Sequence, residues 1–518
     1  MVIQERHKDP YRAFFTADEA LGDYMVGLLD LSEDDRLFEP AAGDGHLIDS
    51  VKKTRPSCSI TAYELNSKQI HNLNAKFGGD DSVKIVERDT VLCPDLDLRE
   101  TFGPRFTKIL ANPPYGGWQE YDRRHDLKKR FRGFYVRETY TLFLLRCLRL
   151  LEPGGRLVFI IPNTFLYLNM HEALRKYLLE NFSVETLDIF KSSLFHGISF
   201  GYADLCIISI TASRPDTHHA FQLRLVDTLH DFNSRAHLEA NSSFILQRDI
   251  LRNRNYTIPV SPDHASKTGL LEHESMMADI ADCVTGFYSG NDKRFLRRAS
   301  VSVRRSNGYE VIENNHIATH LGGLSNPLEG IEGERFFVPI LKGGGFHFIK
   351  PTMWYVDWSK EAVTHYKADR KARFQNSSYY FKQGIGFPMV TSSKPTASMI
   401  DSGLFDQSIV GIFPKSIELE FLLAYCNSKP FWACLKTINP SANNSARYVL
   451  RTPIIRGEPD QEAVIALKTK ELLDLIRNGE SGSDKLQVEI LESITRYVKQ
   501  KESNKALEPT SLRAAAQL

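Results

Sequence analysis

Through about residue 210 the chain alternates short apolar runs with stretches whose apolar positions recur at helical spacing, a rhythm that predicts a wound α/β sheet. The apolar runs at Leu37-Phe38, Ile60–Tyr63, Val83–Val86, Ile109–Ala111, Leu157–Ile161, Val184–Ile189 and Asp204–Ile210 read as seven strands. A first helix is announced by Thr16-Ala-Asp-Glu19, a capping-box spacing, followed by Leu21, Met25, Leu28 and Leu29 on one face. Another is expected from Tyr140 to Leu151, where Glu-Pro-Gly-Gly breaks it.

Beyond about residue 220 the alternation gives way to irregular polar segments, isolated aromatic-rich strands and loops such as Lys342-Gly-Gly-Gly-Phe-His-Phe. Helical patterns return at Ile417–Leu435, Gln461–Ile476 and Leu486–Val498. The chain is therefore expected to divide into an α/β domain over 1–225, a mixed α+β domain over 226–460, C-terminal helices over 461–505 and a tail over 506–518.

Composition narrows the class without naming it. The 518 residues are 42% hydrophobic and 25% charged, and the formal net charge is +1, so a polyanion-binding surface must come from local clusters. Two basic clusters exist. Arg123, Arg124, Lys128, Lys129, Arg130, Arg132 and Arg137 stand against one acid, Asp126; Lys293, Arg294, Arg297, Arg298, Arg304 and Arg305 stand against none. Each is either a solvated face or a binding surface. Seven scattered cysteines, none in Cys-x-x-Cys spacing, point to a reducing compartment and away from structural zinc, so no metal is expected. No apolar run approaches the roughly 20 residues of a membrane helix, and a cytoplasmic location without membrane partners is expected.

The segment Leu37-Phe-Glu39-Pro-Ala41-Ala-Gly43-Asp-Gly45-His-Leu-Ile48 places a strand, an acid, a small-residue loop and a helix in succession. Gly43 and Gly45 permit a tight turn and close approach of a ligand at the carboxyl end of the sheet. The third glycine of the dinucleotide fingerprint is missing, and Glu39 would repel a pyrophosphate while suiting an ammonium group. The next strand ends at Glu64, placed to accept from ribose hydroxyls, and the third is followed by Asp89, placed to accept from an adenine amino group. Either acid alone reads equally as a surface residue at a strand end. In series after a glycine loop they outline a nucleoside pocket with a cationic end, which S-adenosylmethionine fits better than NAD or ATP.

The fourth strand runs straight into Asn112-Pro113-Pro114-Tyr115. Two prolines hold the backbone extended and offer no donor, so the Asn112 amide and the Pro113 carbonyl point outward as a rigid pair of acceptors. Holding both hydrogens of an exocyclic amino group on fixed acceptors turns its lone pair toward an incoming methyl. Tyr115 would add an aromatic face for a flat base.

These motifs, in this order, resemble the gamma class of amino-methyltransferases of DNA restriction-modification systems, specific for adenine N6. Phe15-Thr16 with the helix behind it is similar to the family's first cofactor motif, although Ala17 stands where proline is usual. Glu39 to Gly45, Glu64, Asp89 and Asn112 to Tyr115 follow, and Leu151-Glu-Pro-Gly-Gly-Arg-Leu-Val-Phe-Ile-Ile-Pro-Asn163 is similar to the next strand region. The resemblance implies a seven-stranded Rossmann-like methyltransferase sheet with helices on both faces, and a C-terminal mixed α+β target-recognition domain over 226–460. It implies that Thr16, Glu39, Ala41, Gly43, Gly45, Glu64 and Asp89 bind S-adenosylmethionine, and that Asn112, Pro113, Pro114 and Tyr115 hold a flipped adenine of double-stranded DNA. A second aromatic, Phe195 in preference to Phe200, would close the other face of the base. Arg123, Arg124, Lys128, Lys129 and Arg130, with Lys293, Arg294, Arg297 and Arg298 beside the Gly286–Gly290 loop, are the expected DNA contacts. Any restriction endonuclease partner is expected on a separate polypeptide, for no Asp…Glu-x-Lys nuclease pattern is found. Asn439–Arg447 reads as a DNA-contacting segment or as a capped loop, and Trp354, Trp358 and Trp432 as core.

Rival readings remain at this point: an amino-methyltransferase of cytosine N4 or of RNA, a protein-glutamine methyltransferase built on the same tetrapeptide, and a DNA-binding protein with a dead methylase core.

Overall fold

The computed structural model describes residues 19–115, 123–194, 204–240, 242–252, 254–261, 275–318, 326–391, 394–401 and 403–507, and the chain divides into two compact units, Met1–Gly269 and Leu270–Leu518. The first unit carries α1 (Glu19–Leu29), β1 (Arg36–Glu39), α2 (His46–Thr54), β2 (Ser59–Glu64), α3 (Ser67–Phe77), β3 (Val83–Glu87), α4 (Pro94–Phe102) and β4 (Phe106–Ala111). After these come α5 (Arg123–Arg130), α6 (Thr139–Leu150), β5 (Leu151–Pro162), α7 (Glu172–Asn181), β6 (Ser183–Phe190), β7 (Leu205–Thr211), β8 (Ala220–Val226) and β9 (Ser242–Leu246).

All seven expected strands form, but the sheet has nine, in the order β3-β2-β1-β4-β5-β7-β6-β8-β9. Strands β1 to β5 pair in parallel and β7 runs antiparallel between β5 and β6. The two additional strands continue the sheet past β6, β8 in parallel and β9 antiparallel to β8. β8 straddles the expected domain end at residue 225 and β9 lies beyond it, and the first unit runs on to Gly269. Their apolar alternation is weak because β9 is an edge strand with Phe244 exposed. The chain reverses its order of addition at β1, which lies between β2 and β4, and the crevice beyond the carboxyl ends at such a switch point is where open α/β sheets bind ligands.

The core of this unit comes from the central strands: Phe38, Ile109, Leu110, Leu157, Val158, Phe159, Ile161, Ile207 and Ile208 are all fully buried, as expected for parallel strands covered on both faces. Helix α1 packs on α2, and α4 packs on α6. The Glu-Pro-Gly-Gly stop lies inside β5, in its irregular first half: Gly154 has φ +78°, and the β4–β5 register slips between Phe106 and Lys108.

The second unit holds two four-stranded sheets and one two-stranded sheet. Trp358, fully buried, stacks on Phe374 and meets Phe287 and Tyr380 edge-on; Trp354 is also core, whereas Trp432 is half-buried, with the Lys436 ammonium 4.3 Å from its ring centre. The apolar stretch 417–435, expected as one helix, is two, Leu419–Cys426 and Lys429–Ile438, because Ser428 caps the second through the Phe431 N–H at 3.3 Å. The helices Pro459–Asn478 and Ser483–Leu507 pack on each other, and Leu419–Cys426 packs on the former, so residues 461–505 belong to the second unit. No described helix is long and apolar enough to cross a membrane.

Candidate functional site

The loops after β1, β2 and β3 are tied to one another by hydrogen bonds, which gathers the acids at their tips. Glu64 accepts the Gly43 N–H at 2.8 Å with one carboxylate oxygen and the Leu65 and Asn66 N–H groups, both at 2.8 Å, with the other. Ala42 N–H reaches Tyr63 O at 2.9 Å, and the Thr90 hydroxyl donates to Pro40 O at 2.6 Å. Gly43 (φ +56°) and Gly45 (φ +84°) make the turn, and a Cβ on Gly45 would stand 2.6 Å from Phe77 and 2.9 Å from Leu73. Ala41 is half-buried against the core at the start of this loop.

Glu39 ends β1 at 2% exposure. Burial pushes its carboxyl well above the ordinary range, and the nearby Glu64, Asp44 and Asp49 push it further. Among the described residues no cation pairs with it. A buried carboxylate crowded by acids and lacking a counter-ion is a vacancy for a positive ligand group. The Gly43 turn, the acids Glu64 and Asp89 at the next strand tips and this carboxyl are a donor and acceptor set that fits the amino-acid and adenosine ends of S-adenosylmethionine.

Strand β4 lies beside β1, with Phe38 opposite Ile109, so Asn112 and Pro113 follow β4 directly next to the Glu39 tip. Tyr115 is 4% exposed. Its hydroxyl lies within hydrogen-bond distance of the Asn112 side-chain oxygen and of Ile160 O, the latter at 2.8 Å. Burial, and the Cys206 thiol beside it, hold the phenol well above its usual range, so it remains a donor. The ring expected to offer an open face to a base is thus packed in, and its hydroxyl orients the Asn112 amide. Pro113 is buried and Pro114 half-buried. Thr16, Phe195 and Phe200 lie outside the described residues.

The first basic run splits by helical face. Arg123, Leu127 and Arg130 fall on one side of α5: Leu127 is fully buried, Arg123 pairs with Asp89, and Arg130 bonds Asp97 of α4 at 2.7 Å. Arg123 and Arg130 therefore each meet an acid of the first unit, with side chains 34% and 24% exposed. Lys128 and Lys129 are exposed and Arg124 is half-buried. In the second run Lys293 and Arg294 are exposed, while Arg297 pairs with Glu310 at 2.9 Å and Arg298 donates to Ser306 at 3.1 Å. The neighbouring loop is held by Lys342, which bridges Asp292 and Asp406 at 2.9 Å each. Asn439 and Asn444 are fully buried and Lys436 donates to Asn444 at 2.9 Å, so this part of the 439–447 segment is a capped loop, with Asn443 and Arg447 at its surface.

The wound sheet thus carries acids at three successive strand tips and an Asn-Pro-Pro-Tyr turn at the fourth. Residues 49–195 match the Eco57I restriction-modification methylase family. Type II methyltransferase M.HincII of Haemophilus influenzae is 27% identical over 209 residues, 38% of this chain and 37% of the relative. The adenine-specific methyltransferase BrxX of Escherichia coli O9:H4 (strain HS) is 22% identical over 383 residues, 71% of this chain and 29% of BrxX. The match thus spans 37% of the length of M.HincII and 29% of that of BrxX. Among solved structures, the Type IIL restriction-modification enzyme MmeI in complex with DNA superposes with a TM-score of 0.57 at 12% identity, over 95% of this chain and 73% of MmeI, a likeness of fold.

Proposed function

We propose that the chain transfers the methyl group of S-adenosylmethionine to the exocyclic N6 amino group of an adenine flipped from double-stranded DNA, as the modification component of a restriction-modification or phage-defence system. The observation that carries this reading is the adjacency of β4 and β1: Asn112 and Pro113 follow β4 beside the tip that bears the buried Glu39, with which no cation pairs among the described residues. Glu39 would hold the ammonium end of the cofactor, Glu64 the ribose hydroxyls and Asp89 the adenine amino group. When bound, the cofactor supplies an electrophilic methyl on a sulfonium. Asn112 Oδ1 and Pro113 O would accept the two amino hydrogens of the target base, directing its lone pair at that methyl. The base must leave the duplex stack to reach them.

The second unit is proposed as the target-recognition part, with Lys293 and Arg294 on phosphates. The adenine specificity of BrxX and the DNA bound by MmeI agree with this assignment. The test is expression in a methylation-free bacterial host followed by single-molecule sequencing of the genome. N6-methyladenine in one sequence context is expected. Methyl groups on cytosine N4, or an unmodified genome from cells containing folded, cofactor-binding protein, would overturn the reading.

A further inference from the structure

Asp89 is held from two sides. One carboxylate oxygen accepts the Val91 N–H at 3.0 Å, and the other takes the Arg123 guanidinium across from α5. Both side chains are about one-third exposed, at 29% and 34%, so solvent screens the ion pair and it adds little to folding. Its consequence is geometric. A carboxylate in the loop after β3 is otherwise free to turn about its own bonds, and two donors on separate oxygens fix its plane.

Each oxygen keeps a second lone pair after accepting one hydrogen. A fixed plane therefore leaves acceptor positions in set directions. Helix α5 is itself held in place at three points along one face: Arg123 on Asp89, Leu127 in the core, and Arg130 on Asp97, the last two acids lying in and just before α4. The guanidinium is thus delivered from a rigid element, not from a loose side chain.

We infer that Arg123 is a positioning residue of the cofactor pocket, which orients the Asp89 carboxylate so that it selects a nucleoside bearing an exocyclic amino group. The inference rests on the proposed cofactor reading. It takes Arg123 out of the DNA-contacting set to which its place in a basic run assigned it. The pair sets a recognition geometry, so its loss is read in selectivity more than in total affinity. A site built to pair with an N–H rejects an analogue that presents an acceptor there.

The test is calorimetric titration of the full-length protein with S-adenosylhomocysteine and with S-inosylhomocysteine, in which a carbonyl oxygen replaces the amino group. Wild type should prefer the adenosyl compound by at least about tenfold. Arg123→Ala should shrink that preference about fivefold, with affinity for the inosyl compound changing less than twofold, and Arg123→Lys should restore part of it. Equal loss for both ligands would reduce Arg123 to a packing role and overturn the inference. Tighter binding of the adenosyl compound by Arg123→Ala would also overturn it, by making the guanidinium a competitor for Asp89. Failure of wild type to bind either compound would instead sink the cofactor reading. Thermal melting of each variant separates these outcomes from unfolding.

Discussion

The hydroxyl of Tyr115 rests against the side-chain oxygen of Asn112, three residues earlier on the same turn, and also reaches the carbonyl of Ile160 in β5 at 2.8 Å. The Asn112 amide is thereby referenced to the central sheet and not to a mobile loop. Removing that hydroxyl takes away a donor that favours the amide oxygen at this position over the amide nitrogen. Tyr115→Phe, which keeps the ring, should lower kcat for methyl transfer about tenfold, the worth of one oriented hydrogen bond, and leave S-adenosylhomocysteine affinity unchanged. Undiminished kcat in single-turnover assays would remove this role from the hydroxyl.

Glu39 makes a pH-dependent prediction. Its carboxyl is raised by burial and by neighbouring acids, so the contribution to folding is full below the ordinary carboxylate range and is lost as pH rises through the raised value. Above the ordinary carboxylate range the buried group therefore costs the ligand-free protein stability. Glu39→Gln should raise the neutral-pH melting temperature by about 2 to 4 °C, and the gain should vanish toward about pH 4. The same variant should weaken S-adenosylhomocysteine binding. In wild type, binding should tighten as pH rises and release a proton, measurable by calorimetry in two buffers of different ionisation enthalpy. Proton uptake would contradict the assignment of Glu39 to the cationic end of the ligand.

The sheet was legible because strands buried on both faces leave uninterrupted apolar runs, and each of the seven such runs formed a strand. The edge strand β9 was not, since Phe244 faces solvent and its core-facing partners are few. The strand-tip acids and Asn112 were legible through order alone, for the βα rhythm fixes which end of each strand they occupy. Side-chain direction was less so. Arg123 and Arg130 sit in a basic run that suggests a solvated face, yet the helical spacing of Arg123, Leu127 and Arg130 already placed the two cations on the side of a buried leucine. The inward turn of the Tyr115 ring had no sequence signal, because it depends on a carbonyl 45 residues away.

Gly45 is the N-terminal cap of α2 at φ +84°, with Phe77 and Leu73 of α3 packed where a side chain would begin. Gly45→Ala combines left-handed strain with a clash against two core residues, and it should cost about 1 to 3 kcal/mol of stability. Because the adjacent Gly43 N–H anchors Glu64, S-adenosylhomocysteine binding should fall as well. Denaturant unfolding and calorimetry on the same preparation check both parts. An unchanged unfolding midpoint would mean that α3 yields without cost.

The division of α5 into an inward and an outward face makes separable predictions for neighbouring cations. Lys128 and Lys129 are exposed and free to reach a phosphate, whereas Arg130 is bonded to Asp97, which also receives the fully buried Arg146. If the two lysines each neutralise one phosphate, the double variant Lys128→Ala/Lys129→Ala should weaken binding to any duplex alike and reduce the slope of log K against log salt by about 1.8, at about 0.9 per contact. Melting temperature should be unaffected, because exposed lysines far from the core contribute little to folding. Arg130→Ala should do the reverse, modestly lowering stability through loss of its ion pair with Asp97 and of its side-chain packing, and leaving the salt slope as it was. Fluorescence anisotropy with a labelled duplex across a salt series decides between them, and a reduced slope for Arg130→Ala with none for the lysine pair would invert the facing of the helix.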